Sequence, residues 1–281
     1  MSILSKSLLA TLAAVAVVLV ATHNQPDQPA EDPQATQIPA TAKQKPVKLP
    51  PPQAPWDYQL AGPYPPAGGV KVVSRDRTAP AVPGRYNICY VNAFQVQPGA
   101  QSEWDSDLLL KGANGNLVMD EEWGEPLLDL RTDAQRRRIA AKVNRWIDGC
   151  AAAGYQAVEP DNYDSFSRSK GLLRPEHATA YIKTLADHTH KRGLAIAQKN
   201  TLELAGQRES LGLDFAVVEE CGQHNECRQF TSHFGTAVVI VEYTDQGLEN
   251  ACATVGDQVS VVRRDVAVST PGSAGYVRKT C

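Results

Sequence analysis

The stretch "VEPDNYDS" (158–165) places Glu159, Asp161 and Asp164 within six residues, and "FAVVEEC" (215–221) adds Glu219 and Glu220. Carboxylates packed this closely repel one another, and the repulsion raises the pKa of one of them. Three uses fit such a cluster: a cap on the next helix, a divalent-metal site built from Glu159, Asp161 and Asp164, or a pair of catalytic acids. A protonated carboxyl beside an ionised one can donate a proton to a leaving oxygen while its partner attacks carbon or activates water, which is what cleavage of a glycosidic bond requires. Other toolkits are missing from the sequence. No G-x-S-x-G elbow, phosphate-cradling glycine loop or H-x-x-x-H ligand pair occurs, so no cofactor and no metal are expected. The toolkit is carboxylates.

These acids need elements to hold them. Short β-rich runs alternate with helical patterns, which predicts a parallel sheet wound with helices. The runs are "WDYQL" (56–60), "VKVVS" (70–74), "YNICYVN" (86–92), "PLLDL" (126–130), "YQAVEP" (155–160), "LAIAQKN" (194–200), "LDFAVVEE" (213–220), "VVIVEYT" (238–244) and "QVSVVRR" (258–264). Thr132 is placed to cap a helix that stops at Gly154, with Ile139, Val143, Trp146 and Ile147 at helical spacing. A second helix is predicted from Pro175 to Gly193, and weaker ones over 201–211 and 246–255. Nine strands are one too many for a (β/α)8 barrel, so 126–130 is read as an extra short strand. Residues 61–69 and 75–85 are proline-bearing loops where a regular barrel has helices. The predicted fold is an α/β TIM-like barrel, irregular in its first third, with an open doubly wound sheet as the competitor.

In such a barrel, chemistry sits at the carboxyl ends of the strands. Asp76, Glu159, Asp161, Glu219, Glu220, Glu242 and Asp265 all fall at predicted strand ends, with Lys199 and Asn200 at another. That distribution predicts one acidic rim. Against it stand ordinary fates: Asp161 or Asp164 as a turn or helix cap, Asp76 as a surface ion pair, Glu220 facing outward, and Glu242 paired with Lys199.

The chain of 281 residues has a formal charge of −3, giving no reason to expect nucleic acid as a partner. Lys6 followed by the apolar run Leu8 to Ala21 reads as an export leader or membrane anchor over 1–22. Residues 23–55, rich in Pro, Gln, Ala and Thr, read as a flexible tether, leaving 56–281 as the folded domain. Six cysteines fit an oxidising compartment. Cys221 and Cys227 suit a local bridge, and Cys252 is a candidate partner for Cys281. Cys89 reads as a buried free thiol.

Taken together, "WDYQL", "NICYVN", "LLDLR", "AGYQAVEPDNYDSF", "LAIAQKN", "LDFAVVEECGQHNEC" and "VEYT" resemble glycoside hydrolase family 114, over about Trp56 to Asp265. The resemblance implies a monomeric, secreted or surface-tethered endo-α-1,4-polygalactosaminidase acting on galactosamine-rich polysaccharide, with no organic cofactor. It implies Asp161 and Glu219 as the catalytic pair. Asp76, Tyr90, Glu159, Asn162, Lys199, Asn200, Glu220, Glu242 and Tyr243 are the candidate substrate contacts. A non-catalytic envelope protein that binds carbohydrate on the same barrel is the rival. Two departures from the family pattern stand out. The link "RTAPAVPGR" (77–85) replaces a helix, and Val218 stands where a polar residue, usually Asn, is expected before the Glu.

Overall fold

A computed structural model describes residues 46–281. The expected leader (1–22) and the tether up to residue 45 lie outside the described residues. The strands and helices follow in chain order. β1 (Trp56–Gln59), β2 (Val72–Asp76) and β3 (Tyr86–Asn92) come first, then a small hairpin of β4 (Met119–Asp120) and β5 (Glu125–Pro126). The winding continues through α1 (Asp133–Ala152), β6 (Ala157–Asp161), α2 (Ser165–Arg168), α3 (Pro175–Lys191), β7 (Ala195–Lys199), α4 (Arg208–Leu211) and β8 (Phe215–Glu219). It ends with α5 (Cys221–His224), α6 (Cys227–Phe234), β9 (Val238–Glu242), α7 (Asp245–Val255), β10 (Ser260–Arg264) and β11 (Arg278–Thr280). The large sheet runs β1-β2-β3-β6-β7-β8-β9-β10-β11, parallel throughout except for β11. It is the TIM-like barrel, not the open sheet.

Alternation along the strands sorts side chains into two apolar layers. Trp56, Tyr58, Val72, Ile88, Ala157, Phe215, Val239 and Val262 fill the barrel interior. Val91, Val158, Ile196, Val218 and Ile240 face outward against the helices. The helix α1 buries Ile139, Val143 and Ile147 in that outer layer, each contributing roughly 1.5–3 kcal/mol. Its start is fixed by the Thr132 hydroxyl, which accepts from the Gln135 amide at 3.2 Å.

The first third is remodelled as its prolines predict. No helix follows β1 or β2, so the outward positions of these strands carry polar residues that satisfy one another. Asp57 accepts from Tyr64 at 3.0 Å and from Gln59 at 2.8 Å, and Gln59 accepts from Arg75 Nε at 2.9 Å. The same Asp57, fully buried, meets Arg264 at 3.5 Å and Arg278 at 3.3 Å. Arg278 also donates to the Trp56 carbonyl at 2.9 Å. Side chains thus join β1 to β10 and β11, the two ends of the sheet.

Three expectations change. Cys89 is not a free thiol; it bridges Cys150 and ties β3 to α1 across a loop of 61 residues, a constraint worth about 4 kcal/mol in the chain-entropy picture. The run 126–130 contributes only Pro126 to a strand, β5, in the hairpin with β4. The terminal strand β11 has no sequence signal, being short and charged. The bridges Cys221–Cys227 and Cys252–Cys281 form as paired in the sequence reading.

Replacing Asp57 leaves two arginines without their buried carboxylate. Asp57→Ala should lower the unfolding free energy by about 3–5 kcal/mol, read as a lower midpoint in urea denaturation.

Candidate active site

The strand β6 contains a proline in a central position, which ordinarily argues against a strand there. Pro160 has no N–H to give, and the ladder between β6 and β7 ends at Val158–Ile196. The Ala197 carbonyl is taken instead by the Tyr163 hydroxyl at 2.8 Å. The two strands part at their carboxyl ends, and the chemistry gathers there. Backbone strain gathers with it: Asn162, Asn200, Thr201 and Glu220 all adopt positive φ at the ends of β6, β7 and β8. Such residues persist only where surrounding contacts hold them, and they cluster at working sites.

Into this opening, from the interior face of β7, comes Lys199, 2% exposed. Its Nζ lies 3.1 Å from Glu159 Oε1, 3.3 Å from Asp161 Oδ2 and 3.4 Å from Glu219 Oε2. It also donates to the Tyr58 hydroxyl at 3.1 Å. The rings of Tyr90 and Tyr58 flank it, with centroids 5.5 and 5.6 Å away. Burial disfavours its charge, yet Asp161 and Glu219 outweigh burial and hold its pKa well above the usual lysine value. Lys199 is therefore an ammonium at any physiological pH.

Each carboxylate is also held by neutral groups. The Asp161 Oδ1 accepts from the Asn162 amide at 2.7 Å. Asn162 in turn donates to Asn92 Oδ1 at 3.0 Å. The Glu219 Oε1 accepts from the Tyr243 hydroxyl, and its Oε2 accepts from Asn200 Nδ2 at 3.0 Å. Asn200 Oδ1 accepts from the Glu219 amide at 2.7 Å. Asn200 thus supplies the amide that Val218 lacks; Val218 itself lies in the outer apolar layer. Glu159, fully buried beneath the others, accepts from Tyr58 at 2.7 Å and keeps its second oxygen unpaired. Burial pushes its pKa up to about 7, against the pull of Lys199.

Above this floor opens a cavity of about 770 Å³. Asp161, Glu219, Lys199, Asn200 and Tyr243 line it, as do Asp76, Tyr90, Asn162 and Glu220. Glu242 does not join them. Tyr243 and Val241 face inward, so Glu242 between them faces outward, accepting from the Gly222 amide at 2.7 Å against α5. Its expected pairing with Lys199 is absent for the same reason. Asp265 is likewise diverted, organising a loop through the amides of Ser269 (2.9 Å) and Val277 (3.3 Å).

Asp164 takes the N-cap position of α2, where its carbonyl accepts from the Ser167 amide at 2.8 Å, but its side chain makes no cap and grips Arg168 with both oxygens at 2.8 and 2.9 Å. The metal trio of Glu159, Asp161 and Asp164 is split in this way between two side-chain cations, Lys199 and Arg168. One Cys221, Cys227 and Glu242 grouping has metal-like spacing among the described residues, but both of its sulfurs are spent in a disulfide.

Two cavity residues carry no motif. Glu125 and Trp123 belong to the β4–β5 hairpin, which leans over the mouth from the segment between β3 and α1. Trp123 is 56% exposed, an unusual state for so large an apolar ring on a monomer surface. Asp120 holds the turn that carries it, accepting from the amides of Glu122 (3.1 Å) and Trp123 (3.4 Å). Sequence periodicity could not reveal these residues, because two-residue strands have no period.

The raised pKa of Glu159 has a sign. Between 4.5 and about 7 the folded protein holds a proton that the unfolded chain has released, so stability falls as pH rises through that window. Glu159 contributes a slope approaching roughly 1.4 kcal/mol per pH unit, and Glu125, also pushed up to about 7, adds its own. Glu159→Gln should remove its share, measured as urea midpoints across the window.

Comparison with known proteins bears on the family and the fold. A family model described as glycoside-hydrolase family GH114 matches residues 36–281. Among solved structures, Ega3 of Aspergillus fumigatus in complex with galactosamine is similar at TM-score 0.68 and 19% identity, covering 85% of this chain and 100% of that one. The glycoside hydrolase domain of PelA from Pseudomonas aeruginosa is similar at TM-score 0.53 and 14% identity, over 80% of this chain and 99% of that one. At these identities the likeness shows the fold. No curated protein matches. The family match spans nearly the whole described chain and includes both acid motifs, and on that ground the protein belongs to glycoside hydrolase family 114.

Proposed function

We propose that this glycoside hydrolase is secreted or tethered at the cell surface and cleaves within α-1,4-linked, galactosamine-rich polysaccharide, using Asp161 and Glu219. The observation that carries the reading is that one buried ammonium, Lys199, touches both carboxylates at the floor of an acidic cavity. Three disulfides fit an oxidising compartment. Ega3, of the same fold, was solved with galactosamine, and a rim bearing Asp76, Glu125 and Glu220 would attract a polymer of ammonium-bearing sugars.

In this mechanism Asp161, which Lys199 touches at 3.3 Å, attacks the anomeric carbon. Glu219, held by Tyr243 and Asn200, gives its proton to the glycosidic oxygen as the bond to the leaving sugar breaks. The resulting glycosyl ester on Asp161 is then opened by water, whose proton returns to Glu219. Contacts of 3.3 and 3.4 Å to a single ammonium suit the separation of ~5 Å that double displacement uses better than the ~6.5–9.5 Å that leaves room for water in single displacement. Retention of anomeric configuration is the expected outcome.

Reducing-end release from de-N-acetylated galactosaminogalactan tests the proposal. Asp161→Asn and Glu219→Gln should each lower kcat by at least ~10²-fold. Wild-type binding without release would point to the carbohydrate-binding rival.

A further inference from the structure

Every carboxylate at the floor of the cavity has a cation, and so does one in its wall. Glu159, Asp161 and Glu219 share Lys199, and Asp120, 3% exposed, meets Arg168 Nε at 2.8 Å. Glu125 differs. It is 9% exposed and lines the cavity, yet its one side-chain partner is a neutral amide, Asn92 Nδ2, at 2.8 Å from Oε2. Its Oε1 has no hydrogen-bond partner among the described residues and is not sealed from the cavity, unlike the truly enclosed Oε2 of Glu159. A carboxylate nine-tenths buried and half unpaired is costly unless a donor comes to it.

The charged groups that face it are Asp120 on its own hairpin, Arg168 on α2 and Asp161 on β6. Burial, with Asp161 and Asp120, pushes its pKa up to about 7, and Arg168 only moderates the rise. The carboxylate therefore lacks local compensation on the side that faces the cavity. The same residue is wired to the reaction centre. Asn92 donates to Glu125 and accepts from Asn162, whose own amide donates to Asp161. Anything that binds Glu125 lies within one hydrogen-bonded chain of Asp161.

We infer that Glu125 is a specificity-determining residue whose free carboxylate oxygen receives the ammonium of a 2-amino sugar bound beside Asp161, so that the site prefers free amines over N-acetylated units. An acetamide cannot satisfy an ionised carboxylate as an ammonium does, because it brings no charge and its N–H comes with an added acetyl group. Trp123, on the turn between β4 and β5, would wall the same position with an aromatic face. The inference rests on the amino-sugar reading of the substrate.

The test is calorimetric binding to full-length protein carrying Glu219→Gln, which should bind without turnover. Ligands are α-1,4-linked galactosamine oligomers and their fully N-acetylated counterparts. The Glu219→Gln protein should prefer the free amine, and adding Glu125→Gln should reduce that preference at least ~10-fold, the range expected for losing a charge-assisted hydrogen bond. Adding Glu125→Asp instead, which keeps the charge, should retain part of it. A second readout needs no change at Glu125. At about pH 6.5 the free carboxyl is mostly protonated, and pairing with an ammonium must release that proton. The binding heat of the galactosamine oligomer should then vary with the ionisation enthalpy of the buffer, and this dependence should vanish with Glu125→Gln. An unchanged preference, or equal proton release with and without Glu125, overturns the inference. If wild-type protein still cleaves the polymer in that case, only the role of Glu125 falls. If it neither cleaves nor binds either polymer, the amino-sugar reading falls and the inference with it.

Discussion

One ammonium organises this end of the barrel. Three carboxylates within 3.1 to 3.4 Å of Lys199 would repel one another strongly in a buried site; two unit charges 4 Å apart already cost about 4 kcal/mol at an effective dielectric of 20. Lys199 converts that repulsion into attraction and fixes where each acid points. Its position depends on the strand below it, because only an interior-facing residue at the end of β7 reaches acids from β6 and β8 together. The tyrosines that pack around it, with hydroxyl pKa values raised by burial, remain neutral donors. One cation and these neutral donors therefore hold three acids in place at the floor of the cavity.

Other acids line the same cavity. Asp76, Glu122, Glu125 and Glu220 stand around it with no salt bridge among the described residues. The carboxylates of the lining outnumber Lys199 and Arg168, so the opening presents a negative potential that raises the local concentration of cations.

How far the sequence reveals this follows from periodicity. "VEPDN" and "FAVVEE" end buried strands, so their acids could be placed on one rim from spacing alone. Glu242 and Tyr243 show the limit. Neighbours on a strand face opposite ways, and the sequence does not say which of the two ends inside; Tyr243 does, and Glu242 packs behind α5. Pro160 reads as an argument against a central strand and turns out to be the reason the strands part. Glu125 was illegible because its position depends on the irregular chain between β3 and α1, where no repeat constrains the path. Cys89 looked like a core thiol because its partner, Cys150, lies 61 residues away on a helix.

Two irregular segments line the opening. The β4–β5 hairpin contributes Trp123 and Glu125, and the loop after β10 contributes Val266, Ala267 and Val268, as do Leu60 and Ala61 after β1. That second wall rests on the polar seam of Asp57, Arg264 and Arg278, which stands where helices would otherwise cover β1 and β2. The acids Asp161 and Glu219 come from regular strands, whose geometry is fixed by ladder pairing. The walls come from segments that the ladder does not constrain. One hydrogen-bonded chain joins the two: Asn92 donates to Glu125 and accepts from Asn162, whose amide donates to Asp161.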